Sequence, residues 1–180
     1  PFYTPFPPAA QAGILVGRLN RFARLYFRKA VEVQEGVSLD DFGLLQGIMM
    51  LGRPRVSDVL HINMMEATTG SAAIKRLIAH GWVTDEPNPQ DGRSKLLSLT
   101  AEGTALVFRG NALLGQIGEL FVGPLPPEAL NGVVVALRQL DEWHTAHLET
   151  LPPDLPFEEM RARMLETVSN EQTSDRSRLL

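Results

Sequence analysis

The 180-residue chain contains no cysteine, which excludes a disulfide scaffold, thiolate metal ligation, a cysteine nucleophile and thiol-based redox sensing. No window approaches the roughly eighteen consecutive apolar residues of a membrane-spanning helix. Arg18, Arg21, Arg24 and Arg28 interrupt the first candidate, and glycines with polar residues interrupt the later ones. The opening Pro1-Phe-Tyr-Thr-Pro-Phe-Pro-Pro8 has neither the basic start nor the apolar stretch of a signal peptide. A cytoplasmic protein with no membrane contact is expected. Catalytic motifs are missing as well: there is no Gly-rich phosphate loop, no Gly-x-Ser-x-Gly elbow and no His-Glu-x-x-His pair. The reading is therefore of a protein that is not an enzyme, without cofactor or metal. His144 and His147, beside Asp141, have a spacing that suits a metal on one helix face. Both continue an apolar stripe, however, and no second ligand cluster accompanies them, so packed or interface histidines are the better reading.

What is present suits one compact domain with appended helices: 44% of residues are hydrophobic and 21% charged. The formal charge of −4 is unevenly spread. Residues 1–110 hold 12 Lys/Arg against 10 Asp/Glu, whereas residues 111–180 hold 5 against 11. An anionic partner is thus expected to meet the first two thirds of the chain.

Helical spacing of Ile14, Leu15, Leu19, Phe22 and Tyr26 predicts a long first helix from 14 to about 33. Ser38 followed by Asp41 forms a capping-box pattern ahead of a second helix over 39–51, which Gly52 ends. Arg53-Pro-Arg55 is a turn, after which Ser57 is expected to cap a short third helix that Asn63 closes in a left-handed conformation. A fourth helix is expected over 66–80, stopped by Gly81, with Gly70, Ile74, Leu77 and Ile78 inward and Thr68, Ser71, Ala72 and Lys75 outward. Extended segments 82–86 and 93–99 flank a Pro- and Gly-containing tip. Thr100 is placed to cap a fifth helix carrying Leu106, Leu113, Ile117 and Leu120, and a sixth follows Pro126-Pro127 with Leu130, Val133, Leu137 and Leu140 on one stripe. A short helix over 157–168 and a frayed end over 169–180 complete the reading.

One hairpin after three short helices makes the fold class mainly α with a small β-hairpin wing, that is, a winged helix-turn-helix with long flanking helices. The expected divisions are an N-terminal segment and dimerisation helix (1–37), a winged helix-turn-helix (38–100), C-terminal dimerisation helices (101–150), and a linker, short helix and flexible tail (151–180). The long amphipathic helices have no partner inside so small a core, so a symmetric homodimer is expected.

Arg76-Leu-Ile-Ala-His-Gly-Trp-Val83, then Asp91-Gly-Arg-Ser-Lys95 and Leu99-Thr-Ala-Glu-Gly103, resemble the MarR (multiple antibiotic resistance regulator) family over about residues 12–148. The resemblance implies a dimeric winged-helix regulator of promoters that binds double-stranded DNA, often released by a small-molecule effector. The turn at Ile62-Asn-Met-Met-Glu66 lacks the family's usual glycine, Ala72 stands where an arginine is common, and Glu86 stands where a basic residue is frequent.

Physical reasoning assigns roles to the same surface. A short polar helix face fits the major groove, so Thr68, Thr69, Ser71, Lys75 and Arg76 in recognition helix 66–80 are candidate base readers. In wing 84–97, Arg93 is placed for the minor groove, Asp91 to orient it and Lys95 to meet a phosphate. Arg55 and Ser57 are candidates for the DNA backbone. A two-fold dimer would then address a near-palindromic operator. The plainer alternatives are that Asp91 and Arg93 only staple the hairpin, that the arginines of the first helix are a solvated face, and that Met49, Met50, Met64 and Met65 are core filler. The alternative function is a winged-helix protein–protein interaction module without specific DNA binding.

Overall fold

The computed structural model describes residues 2–148, 150–152 and 154–178. It falls into two units, Pro1–Pro124 and Leu125–Leu180.

The first unit opens with α1 (Pro8–Phe27), a π turn (Arg28–Glu32) and α2 (Val33–Glu35), which Gly36 ends at φ 70°. The helix starts well before Ile14 because Pro8 supplies a preorganised first-turn φ with no N–H to satisfy. Phe27 and Val31 are buried at its C-terminal end, where the Phe27 ring lies 5.5 Å from that of Phe42.

The winged core follows as α3 (Leu39–Leu51), α4 (Val56–Ile62), α5 (Ala67–Ala79), β1 (Val83–Asn88) and β2 (Asp91–Leu99). Ser38 caps α3 as its sequence pattern requires, its hydroxyl accepting the Asp41 N–H at 3.1 Å. Thr100 does the same for α6 (Ala101–Val122), accepting from the Gly103 N–H at 3.0 Å. The core is Phe42, Leu44, Leu45 and Ile48 of α3, closed by Val59, Leu60, Ile74, Leu77, Val83, Leu97, Leu106 and Val107.

Three local expectations are corrected. Arg55, not Ser57, is the N-cap of α4; the Asp58 carboxylate accepts the Arg55 backbone N–H at 3.1 Å, so the helix start is satisfied from inside its first turn. Asn63 keeps an ordinary φ of −93°, and Met64 takes the left-handed conformation at φ 50°. The strands also reach further toward the tip than Glu86 and Arg93, leaving only Pro89 and Gln90 between them. Pro87 is tolerated because the sheet has two strands and β1 has a neighbour on one side only.

The second unit holds α7 (Pro127–Leu148) and α8 (Phe157–Arg178). α8 is helical through Arg178, where a frayed end from Ser169 was expected; Leu179 and Leu180 lie outside the described residues. No single helix among the described residues is long and apolar enough to cross a membrane.

Candidate nucleic-acid interface

The turn between α4 and α5 brings the two helices into close contact. A Cβ built on Gly70 would come within 2.3 Å of the Leu60 side chain, so only glycine allows α5 to cross α4 at this spacing. Gly70, Ala73, Ile74 and Leu77 are buried by that contact, which leaves Thr68, Thr69, Ser71, Ala72 and Lys75 exposed on the other side of α5. Thr68, Ser71, Ala72 and Lys75 are three and four residues apart and share one face. Arg76 is exposed too, but its guanidinium is drawn back to the Asp41 carboxylate of α3 at 2.7 Å. It braces the start of α3 against the end of α5.

The wing is built from an amide that the sequence reading passed over. Asn88 is 9% exposed and satisfied at both ends. Its Oδ1 accepts the Gln90 N–H at 3.0 Å and its Nδ2 donates to Ser94 Oγ at 2.9 Å. Asp91 adds two more contacts: its carboxylate accepts the Arg93 backbone N–H at 3.1 Å, and its carbonyl accepts the Ser94 hydroxyl at 3.1 Å. The strand register jumps from Pro87↔Lys95 to Asn88↔Asp91, so Gly92, Arg93 and Ser94 form a bulge with no residues opposite. Asp91 therefore orients the backbone beneath Arg93 rather than its side chain, as in the stapling alternative. The Arg93 guanidinium itself has no hydrogen-bond or ion-pair partner among the described residues and stands exposed at the bulge. Asn-Pro at 88–89 was the available signal for Asn88, since asparagine side chains commonly close turns on their own backbone.

The wing is tied to the helices through the turn after α3. Leu97 N–H donates to Pro54 O at 2.9 Å, and Arg55 bridges to Leu96. Here the cations are engaged. Arg55 reaches Asp58 at 2.7 Å, Arg53 pairs with Glu86, and Lys95 pairs with Asp85 across the hairpin. The Asp58 carboxyl is held below its ordinary range by the Arg55 guanidinium, and Arg55 is raised by the same hydrogen bonds. The Ser57 hydroxyl turns to Asp58 at 3.4 Å. The structure thus brings Thr68, Thr69, Ser71, Lys75 and Arg93 to the surface without ionic partners among the described residues, and brings Arg55, Arg76 and Lys95 there already paired.

A cavity of about 540 Å³ is lined by Gly43, Gln46 and Gly47 of α3 with Met49 and Met50, by Ile62 and Asn63, and by Val107 and Asn111 of α6. Met49 packs against the core, as a core filler does, and also lines the cavity, while Met50 is largely exposed at the rim. Met65 is core-packed and Met64 exposed. In α1, Arg24 pairs with Asp40 at 2.9 Å and Arg18 lies over the Phe2 ring at 5.2 Å, consistent with a solvated face.

Residues 41–103 match the family described as winged helix DNA-binding domain. These residues form a winged-helix domain of three helices and a hairpin. Solved structures extend the likeness beyond that segment. BpsR of Bordetella bronchiseptica, whose DNA binding is regulated by 6-hydroxynicotinic acid, is 25% identical with TM-score 0.68, over 73% of this chain and 98% of its own. A mutant MarR from E. coli complexed with operator DNA is 20% identical with TM-score 0.67, over 71% and 91%. PcaV of Streptomyces coelicolor, complexed with its natural ligand, is 22% identical with TM-score 0.68, over 76% and 96%. No curated protein sequence matches the chain. The chain shares the fold of the solved MarR and PcaV structures, as the strings at 76–83, 91–95 and 99–103 lead one to expect.

Proposed function

We propose that the protein is a MarR-type transcriptional regulator, not an enzyme, that binds a near-palindromic duplex as a homodimer. The observation that carries this reading is the pairing of two unengaged elements: the Thr68, Ser71 and Lys75 face of α5, and Arg93 raised on a bulge braced by Asn88 and Asp91. Short hydroxyls and one lysine suit base edges in a groove about 12 Å wide, and a guanidinium on a narrow tip suits the minor groove. Lys95, Arg55, Ser57 and Thr69 then lie where phosphates would run. Two such units related by a two-fold axis would present their recognition helices about 34–36 Å apart.

Dimerisation is supported by unpartnered apolar surface. α1 exposes Val16, Leu19 and Phe22, and α7 buries no residue at all while exposing Val133, Val134, Leu137 and Leu140. Faces of this kind need another chain to cover them. The cavity between α3 and α6 is the candidate effector site; its size suits a small organic molecule. Gln46, Asn63 and Asn111 are its polar groups and no charged side chain lines it, which favours an uncharged ligand with amide-matching donors and acceptors. Such a ligand releases DNA only by binding free and DNA-bound protein unequally, and equal affinity in the two states would remove this part of the proposal.

One observation favours a second reading, a winged-helix module for protein contacts: most cations on the surface are already neutralised by carboxylates. Titration of the protein into a fluorescent duplex from upstream of its own gene, at two salt concentrations and against a scrambled competitor, decides between them. A regulator binds tightly, resists the competitor and weakens steeply with salt. A protein-contact module binds weakly and indifferently to sequence.

A further inference from the structure

The candidate interface carries its own anions. Residues 53–95 hold six cations, Arg53, Arg55, Lys75, Arg76, Arg93 and Lys95. Four of them are paired, with Glu86, Asp58, Asp41 and Asp85 respectively for Arg53, Arg55, Arg76 and Lys95. Their side chains remain 54% to 62% exposed, so they face solvent while committed to a carboxylate.

The four carboxylates are not equivalent. Asp58 satisfies the Arg55 N–H at the start of α4, and Asp41 is largely buried where α3 meets α5; each has a structural task. Asp85 and Glu86 have none of that kind. They cap no helix, and both stand on β1, where adjacent residues alternate between the two faces of the hairpin. Asp85 covers Lys95 and Glu86 covers Arg53. The Arg53–Glu86 pair is exposed on both sides and Lys95 is exposed over a partly buried Asp85, and pairs open to solvent in this way contribute little to folding.

We infer that Asp85 and Glu86 act as built-in phosphate mimics that hold down sequence-independent DNA binding. This rests on the DNA-binding reading above. Non-specific affinity comes almost entirely from phosphate contacts. When Arg53 or Lys95 meets a phosphate on this surface it must first give up a carboxylate, so the contact exchanges one anion for another and the freed carboxylate repels the neighbouring phosphates. A random duplex offers nothing further. An operator adds base-edge contacts to α5 and groove insertion by Arg93, which these carboxylates do not oppose. Weak binding to bulk DNA leaves more protein free to occupy its own site among a large excess of competing sequence.

The test needs no knowledge of the operator. Affinity for a random-sequence duplex is measured for the full chain, for Glu86→Gln, for Asp85→Asn, and for Glu35→Gln, which removes the same charge from a pair with Arg109 outside the candidate interface. Each wing variant is expected to bind the random duplex about three- to tenfold more tightly at low salt, with the gain shrinking as salt rises. Glu35→Gln is expected to bind as the parent does, and both wing variants to melt within a few degrees of it. Wing variants no tighter than Glu35→Gln overturn the inference. The same proteins on the upstream fragment separate the two proposals. A parent that prefers that fragment while the wing variants gain nothing on random DNA contradicts only the phosphate mimics. Wing variants that tighten on random DNA, with a parent indifferent to sequence, support the mimics and contradict the sequence-specific regulator.

Discussion

Met64 holds a conformation that side chains other than glycine rarely adopt, at φ 50°, in the turn that sets the angle between α4 and α5. Its side chain is 69% exposed, so almost nothing is gained from packing to offset the backbone cost. Met64→Gly is expected to raise unfolding free energy by about 1 kcal/mol, read by denaturant titration, because it relieves a left-handed backbone without removing a buried contact. This residue also explains why the turn was misread. Asn63 is the better left-handed former by type, but its Nδ2 donates to the Val59 carbonyl at 2.9 Å and stays with the helix, so the burden passes one residue on.

Among the elements, the wing shows most clearly what was legible and what was not. The hairpin, both caps at Ser38 and Thr100, and the stops at Gly52 and Gly81 follow from turn chemistry local to a few residues, and the structure has them. The start of α1 at Pro8 and the reach of β1 through Pro87 were missed because both depend on proline being harmless in one particular place, a first helical turn or an unpaired strand edge. Two pairings were invisible for other reasons: Arg76 and Asp41, 35 residues apart, meet only through tertiary packing, and Lys95 meets Asp85 only in the particular register the hairpin takes. Asn88 is a mixture of the two, a local turn former whose burial comes from the fold. Asn88→Ala is expected to cost about 1–2 kcal/mol of stability by leaving the Gln90 N–H and Ser94 hydroxyl short of a partner, and to weaken DNA binding by loosening the bulge under Arg93. A melting curve and a binding isotherm on the same sample check both. The contact between α2 and α6 gives a pH signature. Arg109 donates to Glu35 at 2.9 and 2.8 Å and holds that carboxyl below its ordinary value, as Arg55 does for Asp58. A depressed folded pKa contributes stability above the unfolded value, and that contribution is lost as pH falls through the folded one. The melting temperature is therefore expected to be flat near neutrality and to drop below about pH 4, with a shallower drop in Glu35→Gln.

For the whole molecule, α1 in the first unit exposes Val16, Leu19 and Phe22, and α7 in the second exposes Val133, Val134, Leu137 and Leu140. Light scattering on the purified chain is expected to give twice its mass of 19.9 kDa, and Leu137→Glu with Leu140→Glu to shift it toward one; a monomeric parent would remove the two-fold operator from the account. The charge is uneven along the chain: residues 1–110 hold 12 Lys/Arg against 10 Asp/Glu, and residues 111–180 hold 5 against 11. The central claim is that α5 and the bulged wing together read a duplex, and binding of Arg93→Ala to the upstream fragment tests it most directly. The account predicts an affinity loss of about 1–3 kcal/mol with an unchanged melting temperature and a smaller margin over scrambled DNA. Equal affinity of variant and parent for that fragment would contradict it.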